Sequence, residues 1–237
     1  MAVRDELVAV PDAPGARVYT GTVRAGLGDI TPAGRVRLDT IAGWLQDVAY
    51  DDVDDAGLRD SGVWVVRRGR LLVRRFPALR EEMTLQTFCS GIGPRWAERR
   101  TVLRGAAGAE VESVALWVHL DPATGAPGRL DARYHEIYSA AAGGRRARGR
   151  LRHADPPESA PRLPWVFRRA DCDPADHVNN AAYWAVVEEL LGEPDGVDAE
   201  IEYRDAAQPG PASVAREGDM LWVTSVDGAV LASVALG

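Results

Sequence analysis

GAVLASVAL, residues 228–236, is said twice: GAEVESVAL at 108–116 agrees with it at six of nine positions. Both runs follow a glycine-containing turn and are rich in valine and small residues, which predicts a strand in each place. A second echo lies upstream of each. Pro32-Ala33-Gly34-Arg35-Val36 parallels Pro174-Ala175-Asp176-His177-Val178, and a helical pattern follows both. Ile41, Trp44, Leu45 and Val48 recur at helical spacing, as do Tyr183, Val186, Val187, Leu190 and Leu191. Two matches in one order predict a duplicated unit of loop, helix and strands.

Strand patterns fill the rest of each unit. VWVVRRGRLLVRR, EEMTLQTFC, WAERRTVLR and EVESVALWVHL follow the first helix, and AEIEYRD, ASVAREG, MLWVTSV and VLASVAL follow the second. One long helix per unit, wrapped by an antiparallel sheet, predicts an α+β fold with both helices against a joined sheet. The expected units are residues 1–125 and 160–237, with a Pro-, Gly-, Ala- and Arg-rich connector over 126–159. Asp39 is the expected cap of the first helix, and Asn179 or Asn180 of the second.

Composition narrows the function. The chain has 237 residues, 46% of them apolar, which suits a folded core. Its net charge of −7 argues against nucleic acid as the main partner. No apolar run is long enough for a membrane span, and MAVRDELVAVPDAPGARVYT lacks the apolar block of a signal peptide. A cytoplasmic protein is the expectation. All 28 basic residues are arginine, so no lysine chemistry is open to it. Cys89 and Cys172 share no CxxC spacing, which gives no ground for a metal site or disulfide framework, and no cofactor is expected.

The motifs resemble a known family. RVRLDTIAGWLQDVAYDD and SVALWVHLDPATGAPGRL in the first unit, with DCDPADHVNNAAYWAVVEE and EIEYRDAAQPG in the second, are similar to the double hotdog acyl-carrier-protein thioesterases over roughly residues 15–237. HVNN-x-x-Y is the most specific part. DCDPAD also resembles the loop of single-hotdog acyl-CoA thioesterases of the 4-hydroxybenzoyl-CoA type, whose catalytic aspartate matches Asp173. The resemblance implies a tandem hotdog and a lipid-metabolism hydrolase releasing fatty acid from acyl carrier protein or coenzyme A, acting as monomer or homodimer. It places catalysis on Asp173 and His177. Two family residues are missing: an asparagine, where Ala175 stands, and a further acid near Ala206 and Ala207, with Asp205 and Gln208 as neighbours.

The chemistry of the loop fits hydrolysis. A carboxylate ahead of a helix can activate water or attack directly, while free N–H groups at the helix start can hold the developing oxyanion. His177 would orient Asp173 or polarise the carbonyl. Asp171 and Asp176 read as turn and cap residues. The matching positions in the first unit are Thr31 and Arg35, so that unit is expected to shape an acyl pocket, with Trp44, Leu45 and Trp64 as lining and Asn179 and Asn180 beside the substrate. Arg145 and Arg146, in the run GRRARGRLRH (144–153), are candidate contacts for an acidic carrier or for coenzyme A phosphates. Two other readings stand beside hydrolysis: a non-catalytic acyl-thioester binding protein, and an acyl-thioester hydratase or dehydratase.

Overall fold

In the computed structural model, which describes residues 7–237, β1 (Tyr19–Arg24), α1 (Leu38–Asp55), β2 (Val63–Arg75), β3 (Glu82–Ile92), β4 (Trp96–Gly105) and β5 (Glu110–Leu120) form the first unit. The expected first unit began at residue 1, and its first six residues lie outside the described ones. A helix, α2 (Ala132–Ala142), follows β5. The second unit comprises β6 (Arg162–Phe167), α3 (Ala182–Leu191), β7 (Val197–Tyr203), β8 (Gly210–Glu217), β9 (Met220–Ser225) and β10 (Val230–Leu236).

All ten strands join one antiparallel sheet in the order β1-β3-β4-β5-β2-β7-β10-β9-β8-β6. Read from the middle outward, the two halves carry corresponding strands in one order. The repeated segments occupy β5 and β10: Val114 pairs with Arg70 of β2, and Val234 with Ile201 of β7. The fold is the tandem hotdog that the duplication predicts.

The seam between β2 and β7 separates two chemistries by strand alternation. Gly69↔Ile201, Leu71↔Ala199 and Val73↔Val197 face the core, where α1 and α3 pack against the sheet and each other. Arg68↔Glu202, Arg70↔Glu200 and Leu72↔Asp198 lie on the outer face. The chain between the units covers that face. Arg68, 1% exposed, donates to the carbonyls of Arg148 and Arg150, and Glu202 accepts the N–H groups of Arg152 and His153 at 2.6 and 3.0 Å.

Within the connector, α2 has clear local causes. Asp131 Oδ1 accepts the Tyr134 N–H at 2.7 Å, and Gly143 ends the helix at φ 56°, a conformation that suits glycine. Tyr134, Tyr138, Ala141 and Ala142 are buried, and all but Ala141 join Cys89, Ala97 and Leu130 in a small core beside α1. Asp39 is not the cap of α1: it sits inside the helix and accepts from Arg37 and the Thr40 N–H, while the backbone of Arg37 caps. No helix among the described residues is long and apolar enough to cross a membrane.

Candidate active site

Each unit builds the same loop ahead of its long helix. Single turns at Leu27–Asp29 and Arg169–Asp171 are closed by Asp29 on the Gly26 N–H (2.8 Å) and Asp171 on the Arg168 N–H (2.7 Å). Thr31 N–H then donates to the Arg35 carbonyl at 2.7 Å, and Asp173 N–H to the His177 carbonyl at 3.0 Å. Gly34 and Asp176 take the left-handed turn position at φ 83° and 60°; aspartate tolerates it better than most residues. The polar stretch DCDPADHVNN thus divides its labour, with Asp171 as cap and Asp176 as turn.

The Asp173 carboxylate is held from two sides. Oδ1 accepts the Ala175 N–H at 2.9 Å, and Oδ2 lies 3.4 Å from the Asn179 amide nitrogen. Asn179 is itself fixed, because its Oδ1 accepts the Ala181 N–H (2.8 Å) and the side-chain amide of Gln46 (3.0 Å). Gln46 belongs to α1, so the first unit reaches into the second unit's loop. One turn further along α1 stands Tyr50, whose phenol is pushed up by burial and by the negative charge of Asp173.

Other predicted residues fall elsewhere. The exposed His177 ring makes no hydrogen bond among the described residues; the backbone carbonyl alone ties His177 to Asp173. The Asn180 carbonyl accepts from Tyr203 Oη at 2.9 Å, and its side chain borders a cavity of about 60 Å³ together with Leu45 and Gln46. Trp44 packs half-buried against the main core and lines neither this cavity nor the larger one. Asp205 folds back on the Ala206 N–H, and no carboxylate from that loop bonds Asp173. Arg145 spends its guanidinium on the carbonyls of Ser90 and Ala141, whereas Arg146 is exposed.

A cavity of about 730 Å³ opens beside the loop. Pro174, next to Asp173, lies on its wall, and Tyr50, Val53, Trp64, Trp117 and Tyr134 make it largely aromatic. Tyr50 meets Trp117 edge-on at 6.1 Å, and Trp64 lies 5.3 Å from Tyr134. Trp64, an expected lining residue of the acyl pocket, borders this cavity. Tyr134 comes from α2, so the connector completes a pocket that the duplicated unit alone would leave open. The volume lies in the range usual for small-molecule sites.

The first unit's loop is closed instead. Glu188 of α3 places Oε1 at 2.8 Å from Arg35 Nη2 and accepts the Leu38 N–H on Oε2 at 2.6 Å, while the Arg35 guanidinium lies over Phe76 at 4.0 Å. Burial pushes the Glu188 carboxyl up, against the pull of the Leu38 N–H and Arg35. On the sheet's outer face His153, Glu200 and Glu202 bring potential metal-ligand atoms within 4.8 Å of one another. Arg68 and Arg152 stand 3.8 and 3.6 Å from Glu200, and their charges already balance the carboxylates. That cluster is a structural pin for the connector.

Comparison with known proteins agrees with the architecture. The acyl-ACP thioesterase N-terminal domain matches residues 17–138, and the C-terminal domain residues 155–203. An uncharacterized Mycobacterium tuberculosis protein is 29% identical over 213 residues, covering 87% of this chain and 85% of its own. An acyl-ACP thioesterase of Bacteroides thetaiotaomicron superposes with a TM-score of 0.74 at 15% identity, and the 12:0-ACP thioesterase of Umbellularia californica with 0.73 at 17%; each comparison covers 92% of this chain and 96% of the other. Those two likenesses show the fold. Because both family domains match in order, the first alone over half the chain, the protein belongs to the acyl-ACP thioesterase family, whose general chemistry is hydrolysis of acyl thioesters.

Proposed function

We propose that the protein releases fatty acid from an acyl chain carried on phosphopantetheine, with Asp173 as the reacting carboxylate. One observation carries the reading: the two loops are equivalent, and in the first of them the Leu38 N–H holds a carboxylate oxygen at 2.6 Å. Its counterpart, the Asn180 N–H, makes no hydrogen bond among the described residues. That group is a ready donor for an oxyanion beside Asp173, at the N-terminal end of α3.

In this mechanism Asp173 takes a proton from water as the oxygen attacks the thioester carbonyl. The tetrahedral oxyanion forms against the Asn180 N–H. Collapse breaks the carbon–sulfur bond, the thiolate leaves with the proton, and the free acid remains. Asn179, steadied by Gln46, keeps the carboxylate aimed, and the acyl chain occupies the aromatic cavity beyond Pro174. Acyl carrier protein and coenzyme A both fit this scheme, with the exposed arginines of the connector as charge partners for either.

A thiol-release assay across chain lengths on both carriers tests it. Asp173→Asn should lower turnover by roughly 10²- to 10⁴-fold, the usual loss for a general base, with little change in melting temperature. Near wild-type turnover in that variant would remove Asp173 from the chemistry. The absence of Asn at 175 and of an acid at 206 favours a second reading, an acyl-thioester binding protein, which would bind the same compounds and release no thiol.

A further inference from the structure

Arg99 sits where a core residue belongs. It lies on β4 on the same face as Ala97, Thr101 and Leu103, all buried, and its own side chain is 8% exposed. It borders both cavities, the aromatic one beside Trp117 and Tyr134 and the smaller one beside Gln46 and Thr101. An arginine in such a wall needs partners, since a buried charge without them is costly.

The hydrogen-bond partners of Arg99 gather at Nη1, while its guanidinium carbon lies 5.3 Å from the centre of the Tyr138 ring. Nη1 donates to Asp52 Oδ2 at 2.5 Å and to Thr87 Oγ1 at 3.4 Å. Asp52, wholly buried, also accepts from Arg17 Nε at 2.6 Å and from Tyr138 Oη at 2.9 Å, so one carboxylate serves two arginines. Neither Nη2 nor Nε of Arg99 has a hydrogen-bond acceptor among the described residues. Burial pushes the Tyr138 phenol up to about 12, which keeps it a donor to Asp52.

We infer that the cavity selects an acyl chain bearing a hydrogen-bond-accepting oxygen away from the thioester, a hydroxyl, oxo or carboxylate group that meets Nη2 or Nε of Arg99. The inference rests on the thioesterase reading and narrows its substrate class. A plain hydrocarbon chain would displace water from Nη2 and Nε and offer nothing in return. An oxygen-bearing chain restores the hydrogen bonds while its carbon skeleton still fills the space between the aromatic rings. Sites built to hydrogen-bond a substrate reject the analogue lacking that group, because buried donors are left unpaired.

The test is a set of acyl thioesters of one chain length, on coenzyme A and on acyl carrier protein: unsubstituted, hydroxylated or oxo-substituted at successive positions, and ω-carboxylated. For the wild-type protein, at least one oxygenated member should show kcat/KM about ten- to a hundredfold above the unsubstituted chain. Whether the neutral or the carboxylated members win identifies the source of the oxygen. Arg99→Met should erase the preference, mainly through KM, and Arg99→Lys should keep part of it. The wild-type comparison stands even if Arg99→Met fails to fold. Equal or better turnover of the unsubstituted chain overturns the inference and leaves the thioesterase reading intact. If no thioester on either carrier is hydrolysed, the catalytic reading falls, and calorimetric binding of the matching free acids decides the inference alone: tighter binding of an oxygenated acid upholds it, and no difference sinks it.

Discussion

Gln46 of α1 and Glu188 of α3 stand at equivalent positions, and each reaches out of its own unit into the other's loop. Gln46 holds Asn179 beside Asp173, whereas Glu188 binds Arg35 and the Leu38 N–H. The same crossing contact serves one loop as support for a carboxylate and the other as a seal.

Removing the first contact should affect rate rather than folding. In Gln46→Met, Asn179 keeps its bond to the Ala181 N–H and α1 keeps its packing, but the amide beside Asp173 is free to turn. Small misplacements of a reacting group are expensive. Steady-state thiol release should show kcat lower by about tenfold, with KM within about twofold and the melting temperature unchanged.

Removing the second should do the reverse. Arg35→Met leaves Glu188 half-buried without its cation, at a cost of about 2 kcal/mol, below the range for fully buried pairs because both side chains keep some exposure. Turnover should stay near wild type. Burial already raises the Glu188 carboxyl above its ordinary 4.5, so the folded state binds that proton more tightly, and stability falls as pH climbs from that value. Chemical denaturation should show the variant's deficit widening between pH 5 and 8, and the double variant with Glu188→Gln should recover much of it.

Asp171 offers a titration of opposite sign. Burial works against its charge, yet the side chain and N–H of Arg168 outweigh it and hold the carboxyl below its ordinary 3.8. A depressed carboxyl stabilises above the unfolded value and loses that contribution as pH falls through the folded one. Asp171→Ala should therefore cost roughly 1 kcal/mol at pH 7, as loss of a cap does, and the gap from wild type should close below about pH 4. A gap that persists in acid would mean that the charge plays no part.

The connector arginines separate the two carriers. Arg145 is committed to the backbone, so the informative change is Arg146, Arg148 and Arg150 to Ser together, which leaves the carbonyls that receive Arg68 in place. If an acidic carrier docks there, KM for the carrier-linked chain should rise several-fold and wild-type activity should fall with salt. Unchanged KM and no salt dependence would make the run a plain connector.

Strands with strong alternation or valine content were legible to the residue: β2, β5 and β10 begin and end where the pattern does. The misses were β1 and β6, the two sheet edges. YTGTVR is half exposed and RLPWVF carries a proline, which an edge strand tolerates and a pattern search discounts. Helix α2 was hidden by the Gly- and Arg-rich composition around it, although Asp131, Gly143 and the apolar spacing Tyr134, Ile137, Tyr138, Ala141 mark it. Asp173 could be singled out only through the resemblance of DCDPAD to thioesterase loops, because aspartates ahead of a helix are by themselves ordinary turn residues. Gln46, Tyr50 and Arg99 could not, because their roles arise only when separate elements meet.

The continuous β2–β7 seam has a consequence for how such a site can change. Two identical chains meeting at that seam would carry two identical loops, and every substitution would appear in both. Here one peptide chain holds both copies, so each position is free to take its own residue. The protein has the geometry of a symmetric pair without the obligation to be symmetric, which is why a Thr31 and an Asp173 can occupy the same place in the same fold.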